Sequence, residues 1–370
     1  MPIRDVAATV VTAPLHTEFV TALRRTSQIE SVIVEVTDDE GRVGRGEAPQ
    51  TWRITGQSLA GAQACLNGPL RDAVLGLDPD DVNATLDAAD AAVVGNSAAK
   101  AALDVAVHDL AAQRLGVSLT RFLGGTTLSV ATDVTLPAGD VDELTAAASA
   151  RVAEGFTVLK VKVGLDPAGD LERLRAIRAA VGDAVTLRLD ANQGWSAKQA
   201  VRIIRGMEDA GLDVDLVEQP TPARDLSGLA EVTRAVSTTI LADESVHTVD
   251  DLLAVIATRA ADAVNVKLAK CGGLRAGRDL LRLAASQGMG YTVGSMMEGR
   301  IGVAAAASLA SAVGTSTVAD LDAAWWLADS DPALTYRDGI IHLDSGPGLR
   351  SITFSPQTRH ERRSGTETNA

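Results

Sequence analysis

From about residue 128 onward the chain repeats one unit: a short Val-rich run, a loop, and a helix rich in Ala, Arg and Leu. Two parallel strands need a crossover between them, usually a helix, so this alternation predicts a parallel sheet flanked by helices. The runs are VATDVTL (130–136), TVLKVKV (157–163), VTLRLD (185–190), VDLVEQ (214–219), TTILADE (238–244), AVNVKL (263–268), YTVGSM (291–296) and TSTVADLD (315–322). Eight such units in roughly 200 residues predict an α/β fold closed as a (β/α)8 barrel, in which chemistry collects at the C-terminal ends of the strands. An open doubly wound sheet is the structural alternative, and no GxGxxG turn follows an early strand to favour it.

Residues 1–127 mix strand signals with Ala-rich helices and predict a small α+β domain capping the barrel, 128–325. Its stretches HTEFVTALRRT (16–26) and APQTWRITGQ (48–57) would be loops closing over the barrel mouth. Residues 326–355, with DGIIHLDSGPGL, read as a segment returning to the cap, and 356–370 as a disordered polar tail. The net charge of -14, from 48 acidic against 34 basic residues, argues against nucleic acid or an anionic membrane as partner. The first fifteen residues lack a secretory leader, and only Cys65 and Cys271 are present, so a reduced cytoplasmic setting fits best. The uncharged stretch 301–319 consists of Ala, Ser, Gly and Thr more than Leu and Ile, and reads as a buried helix.

One strand is anomalous. TVLKVKVG has the β-branched composition of a strand covered on both faces, yet Lys160 and Lys162 interrupt it, and alternation sends both ammonium groups to one side. The other strand ends deliver Asp190, Glu218, Asp243, Lys267, Glu298, and Asp320 with Asp322 to the same rim. A lone Asp after a strand is usually a cap or turn former. Here the charges recur in step, with 28 positions from Asp190 to Glu218, 25 to Asp243 and 24 to Lys267.

Three carboxylates without Cys or His make a hard oxygen site suited to magnesium, with manganese able to substitute. Lys162 and Lys267, from opposite sides of the mouth, would face one substrate carbon between them. A lysine near a dication and another ammonium has its pKa lowered and can act as a base. Removing a proton beside a carboxylate gives an enediolate that a preplaced cation stabilises.

The motifs LKVKVG, RLDANQGW, VEQP, LADES, NVKLAKCGG and GSMMEGRIG, with the helix SAAKAALDVAVHDLAAQRLGVSLTRFLGG (97–125), resemble the muconate lactonising subgroup of the enolase superfamily over nearly the whole chain. The resemblance implies Asp190, Glu218 and Asp243 as magnesium ligands, Lys160, Lys162 and Lys267 as catalytic lysines, and a lysine-based enediolate mechanism. None of the five histidines ends the seventh strand, where mandelate-type members carry a base; His247 reads as a loop residue. Asp320-x-Asp322 and SMMEG are similar to dipeptide epimerases, which would use the acidic pair to bind an α-ammonium.

Thr135, Ser295, Met297 and Glu298 would be further substrate contacts. Arg24 in TALR would meet a glutamate side chain, with Arg25 as the register alternative and Trp52 and Arg53 as pocket-shaping residues. The expected enzyme is a magnesium-dependent dipeptide epimerase, a homo-oligomer, with Ala-Glu favoured. N-acylamino acid racemase, o-succinylbenzoate synthase and, from another class, a Schiff-base aldolase barrel are the alternatives.

Overall fold

The computed structural model of the protein describes residues 2–20, 25–137, 139–164, 166 and 169–353. It opens with an antiparallel sheet of β1 (Ile3–Val20), β2 (Arg25–Asp38) and β3 (Val43–Pro49). Both faces of β2 are covered. Val32, Val34 and Val36 pack on the cap's own helices, whereas Ile29 and Ile33 join the core that continues into the barrel. The helix Ser97–Leu115 carries alanines along its length because it is buried on nearly every side. Gly44 and Gly46 let β3 lie directly on that helix: a Cβ at Gly46 would fall 1.8 Å from the Ala102 carbonyl oxygen.

β4 (Ser129–Ala131) and β5 (Val134–Leu136) follow, and then the parallel strands β6 (Val158–Lys162), β7 (Thr186–Asp190), β8 (Val214–Glu218), β9 (Thr239–Ala242), β10 (Ala263–Lys267) and β11 (Gly290–Gly294). β5 to β11 form one sheet in sequence order, each next to its predecessor. Several of the outer helices begin with reciprocal capping boxes, Asp140 with Glu143, Ser196 with Gln199 and Thr248 with Asp251. The register sets Lys162 beside Asp190 and Asp190 beside Glu218, so three charged residues stand at one height on three neighbouring strands.

Two expected strands differ from the fold. The first expected run splits around Asp133: only β5 enters the barrel, while β4 pairs with a C-terminal hairpin of β12 (Leu334–Arg337) and β13 (Ile340–Leu343). The eighth run closes the ring through only two paired residues, Ala319 with Thr132 and Asp320 with Gly294. Side chains satisfy further groups of its backbone: Arg188 donates to Val318 O at 2.7 Å and Thr132 Oγ1 accepts from Leu321 N at 2.9 Å.

After the barrel the chain returns to the cap, with contacts that include Ala328 N to Pro14 O, Gly348 N to Val117 O and Leu349 N to Asp109 Oδ1. The uncharged stretch begins as the buried helix Arg300–Val313, and no described helix is long and apolar enough to cross a membrane. The expected tail, 356–370, lies outside the described residues.

Candidate active site

Each parallel strand ends at the barrel mouth, and the ends carry the charges. Lys160, only 2 % exposed, directs Nζ to Glu218 Oε2 at 2.6 Å, Asp320 Oδ2 at 2.9 Å and Asp190 Oδ2 at 3.2 Å. Lys162, on the same side of β6, reaches Asp190 Oδ2 at 2.6 Å. Across the mouth Lys267 lies 3.0 Å from Asp243 Oδ2, 3.4 Å from Asp320 Oδ2 and 3.6 Å from Glu218 Oε1.

Three supporting residues were not foreseen. Lys270, fully buried, binds Asp243 Oδ1 at 2.5 Å and Asn265 O at 3.0 Å. Asn265 Nδ2 donates to Glu218 Oε1 at 3.0 Å and to Asp320 Oδ2 at 2.9 Å, joining two of the rim acids. Glu244 sits beside Asp243 with its Oε2 buried and unpartnered. All three lie within motifs already quoted, NVKLAKCGG and LADES, yet adjacency in a motif does not reveal which atoms meet.

The electrostatics set a condition on the expected lowering of a lysine pKa. Burial would lower the pKa of Lys160 and Lys267, but the charges of Asp320 and Glu218 around both, with Asp190 at Lys160 and Asp243 at Lys267, outweigh it and hold both well above the ordinary lysine value. The anticipated lowering needs those carboxylates to be neutralised by another cation. Burial also raises Glu218 to about 7 and Glu244 to about 8, the latter helped by the charges of Asp243 and Asp190. Asp190 and Asp243 go the other way; burial opposes ionisation, and the lysines, Lys162 first for Asp190 and Lys267 first for Asp243, more than offset it.

Among the described residues no three His, Cys, Asp or Glu side chains stand close enough to hold a metal as they are, because ammonium nitrogens lie among the carboxylates. The donor set nonetheless fits a hard dication. Three buried carboxylates come from the ends of β7, β8 and just beyond β9, and Glu244, which lines the same cavity as Asp243, has a buried, unpaired oxygen.

The rim opens into a cavity of about 270 Å³. Lys160, Lys162, Asp243, Lys267, Asp320 and Asp322 line its floor, Thr135, Ser295 and Met297 its sides, and Phe19, Trp52 and Arg53 of the cap its outer wall. Glu298 is the exception and must be corrected. The chain turns after β11, and the Glu298 side chain enters the seam between barrel and cap, where Oε1 accepts from Met296 N at 2.9 Å. There it lies beside Glu47, which holds Gly299 N at 2.6 Å and Gly302 N at 3.1 Å, the start of the helix Arg300–Val313. Arg24 lies outside the described residues, and Arg25 is exposed and paired with Glu18. His247 precedes the helix Val249–Thr258, with its backbone N–H on Asp251.

A capped barrel with acids and amines alternating around its mouth is an enolase-type enzyme architecture. The chain belongs to the mandelate racemase/muconate lactonizing enzyme family, matching its N-terminal domain over residues 3–124 and the enolase C-terminal domain-like barrel over 143–356. The chain is 42% identical to the L-Ala-D/L-Glu epimerase of Bacillus subtilis (strain 168), over 92% of this chain and 94% of that one. It is 38% identical to the hydrophobic dipeptide epimerase of Enterococcus faecalis, over 88% and 92%.

Among solved structures, the substrate-liganded L-Ala-D/L-Glu epimerase from Bacillus subtilis superposes with a TM-score of 0.91 at 41% identity, covering 94% of this chain and 98% of that one. The Enterococcus faecalis dipeptide epimerase complexed with Mg and L-Leu-L-Tyr gives 0.89 at 37% identity, covering 94% and 99%.

Proposed function

We propose that this chain is a dipeptide epimerase that inverts the α-carbon of the C-terminal residue, with Ala-Glu as the favoured substrate. The observation that carries the proposal is one cavity lined by Lys162 of β6 and Lys267 of β10 together with Asp320 and Asp322. One amine removes the α-proton and the other returns it from the opposite face. Lys160 steadies Asp190, Glu218 and Asp320 around the reacting carboxylate. Asp190, Glu218 and Asp243 would hold magnesium, with manganese able to replace it, and the cation would supply positive charge beside the reacting carboxylate.

The acidic pair favours a free α-ammonium over an acylated nitrogen, which separates this reading from N-acylamino acid racemisation. Arg53 is the arginine among the described residues lining this cavity, and it would meet an acidic C-terminal side chain. Incubation with L-Ala-L-Glu in deuterated water should place deuterium at the Glu α-carbon. A dipeptide library in which no member exchanges its α-proton would refute the proposal.

A further inference from the structure

The two acids at the ammonium end are held in different ways. Asp320 Oδ2 is taken up by Lys160, Lys267 and the amide of Asn265. Asp322, 7 % exposed, makes no ion pair among the described residues. Its Oδ2 instead receives two N–H groups, Thr135 N at 2.7 Å and Trp326 Nε1 at 3.1 Å, which leaves Oδ1 without a described partner beside the cavity that Asp322 lines. A carboxylate held on one oxygen by two neutral donors is fixed in orientation while its charge remains available.

Trp326 closes the short turn Ala323–Trp326 that follows Asp322 and is 3 % exposed. Its ring lies against the cap strand β1: Phe19, itself a cavity residue, meets it edge-on at 5.1 Å between centroids, and His16 stacks on it at 5.4 Å and 15°. One side chain therefore touches both the substrate-facing acid and the cap.

We propose that Trp326 is a positioning residue whose indole N–H turns Asp322 so that its free oxygen meets the substrate's α-ammonium, while its ring ties that acid to the seated cap strand. The inference rests on the dipeptide reading and names the element that makes its ammonium site. The groups whose charges act on Asp322, or feel it, are Asp320, Lys160, Asp133 and Tyr336. Burial and Asp320 push its pKa up and the two N–H donors pull it down, so losing one donor shifts ionisation of Asp322 to higher pH.

Trp326→Phe keeps the aromatic packing and removes only the donor. With L-Ala-L-Glu as substrate and magnesium present, KM should rise at least tenfold and kcat change less than threefold. The acid limb of kcat/KM should move to higher pH, and Trp326→His, which retains a ring N–H, should recover most of the loss. Asp322→Asn should give a parallel rise in KM. An unchanged KM in Trp326→Phe beside a raised KM in Asp322→Asn overturns the role of Trp326 and leaves the epimerase reading intact, as does an equal fall in kcat with no movement of the acid limb.

If Trp326→Phe does not fold, the indole N–H resonances of the wild-type chain decide the matter. The resonance missing from Trp326→His must shift when L-Ala-L-Glu is added, and its failure to shift overturns the proposal. Wild-type enzyme that exchanges no dipeptide α-proton overturns both readings together.

Discussion

Glu298 offers a stability test independent of turnover. The side chain is 2 % exposed in the seam between cap and barrel, and burial together with the neighbouring Glu47 raises its pKa from 4.5 to about 8. The folded chain therefore keeps a proton that the unfolded chain releases between those two values. The stabilisation from this group is complete below pH about 4.5 and is lost as pH rises through about 8.

At about 1.4 kcal/mol for each pH unit, the interval corresponds to about 5 kcal/mol, and relaxation around the ionised group reduces this to an expected 2 to 5 kcal/mol, on the order of the whole stability of many domains. Glu298→Gln mimics the protonated acid in shape and keeps an oxygen for Met296 N–H. Urea unfolding of both proteins at pH 5, 7 and 8.5 should show them nearly equal at pH 5 and the variant progressively more stable above it. A wild-type-minus-variant difference that stays constant from pH 5 to 8.5 would refute the argument, because it would mean that Glu298 is not protonated in the folded chain.

Lys162→Ala and Lys267→Ala should each lower epimerisation by about 10² to 10⁴-fold, measured by NMR of the α-carbon; a loss under tenfold in both contradicts their roles as bases. Exhaustive chelation should abolish exchange and magnesium should restore it, and magnesium at 100 times its Kd should add about 2.7 kcal/mol of stability, read from the melting temperature. Gly46→Ala would drive a methyl group into the Ala102 carbonyl and should cost about 3 kcal/mol, at the upper end of overpacking penalties, in urea unfolding. Arg53→Ala should raise KM for L-Ala-L-Glu about tenfold and leave L-Ala-L-Leu nearly unaffected, which steady-state kinetics on the two substrates would check.

The barrel is legible in the sequence because strands covered on both faces must be continuously apolar, and runs such as VLKVKV and VTLRLD stand out against Ala-rich helices. Lys160, Lys162, Asp190 and Glu218 are legible for the complementary reason: a charge inside such a run needs a partner, and strand order brings the partners together. What could not be read depends on turns. Glu298 follows β11 by four residues, and nothing in SMMEG fixes whether its side chain falls in the cavity or the seam. Asp133 splits a run that looks continuous, and the contact of Lys270 with Asp243 spans 27 residues and depends on a four-residue helix turning after β10. The tie between Trp326 and Asp322 joins residues four apart, yet a run such as DLDAAWW does not tell a 3₁₀ turn from a longer helix.

The cavity wall is assembled from two sources under different structural constraint. Its reactive floor comes from buried strand ends whose replacement would disturb the barrel itself, whereas Trp52 of its outer wall is 60 % exposed and contributes little to packing. Trp52 and Arg53, both exposed, can therefore be exchanged at small folding cost, so that taking this pair from a cousin with other tastes should retune which peptide is accepted without touching how it reacts.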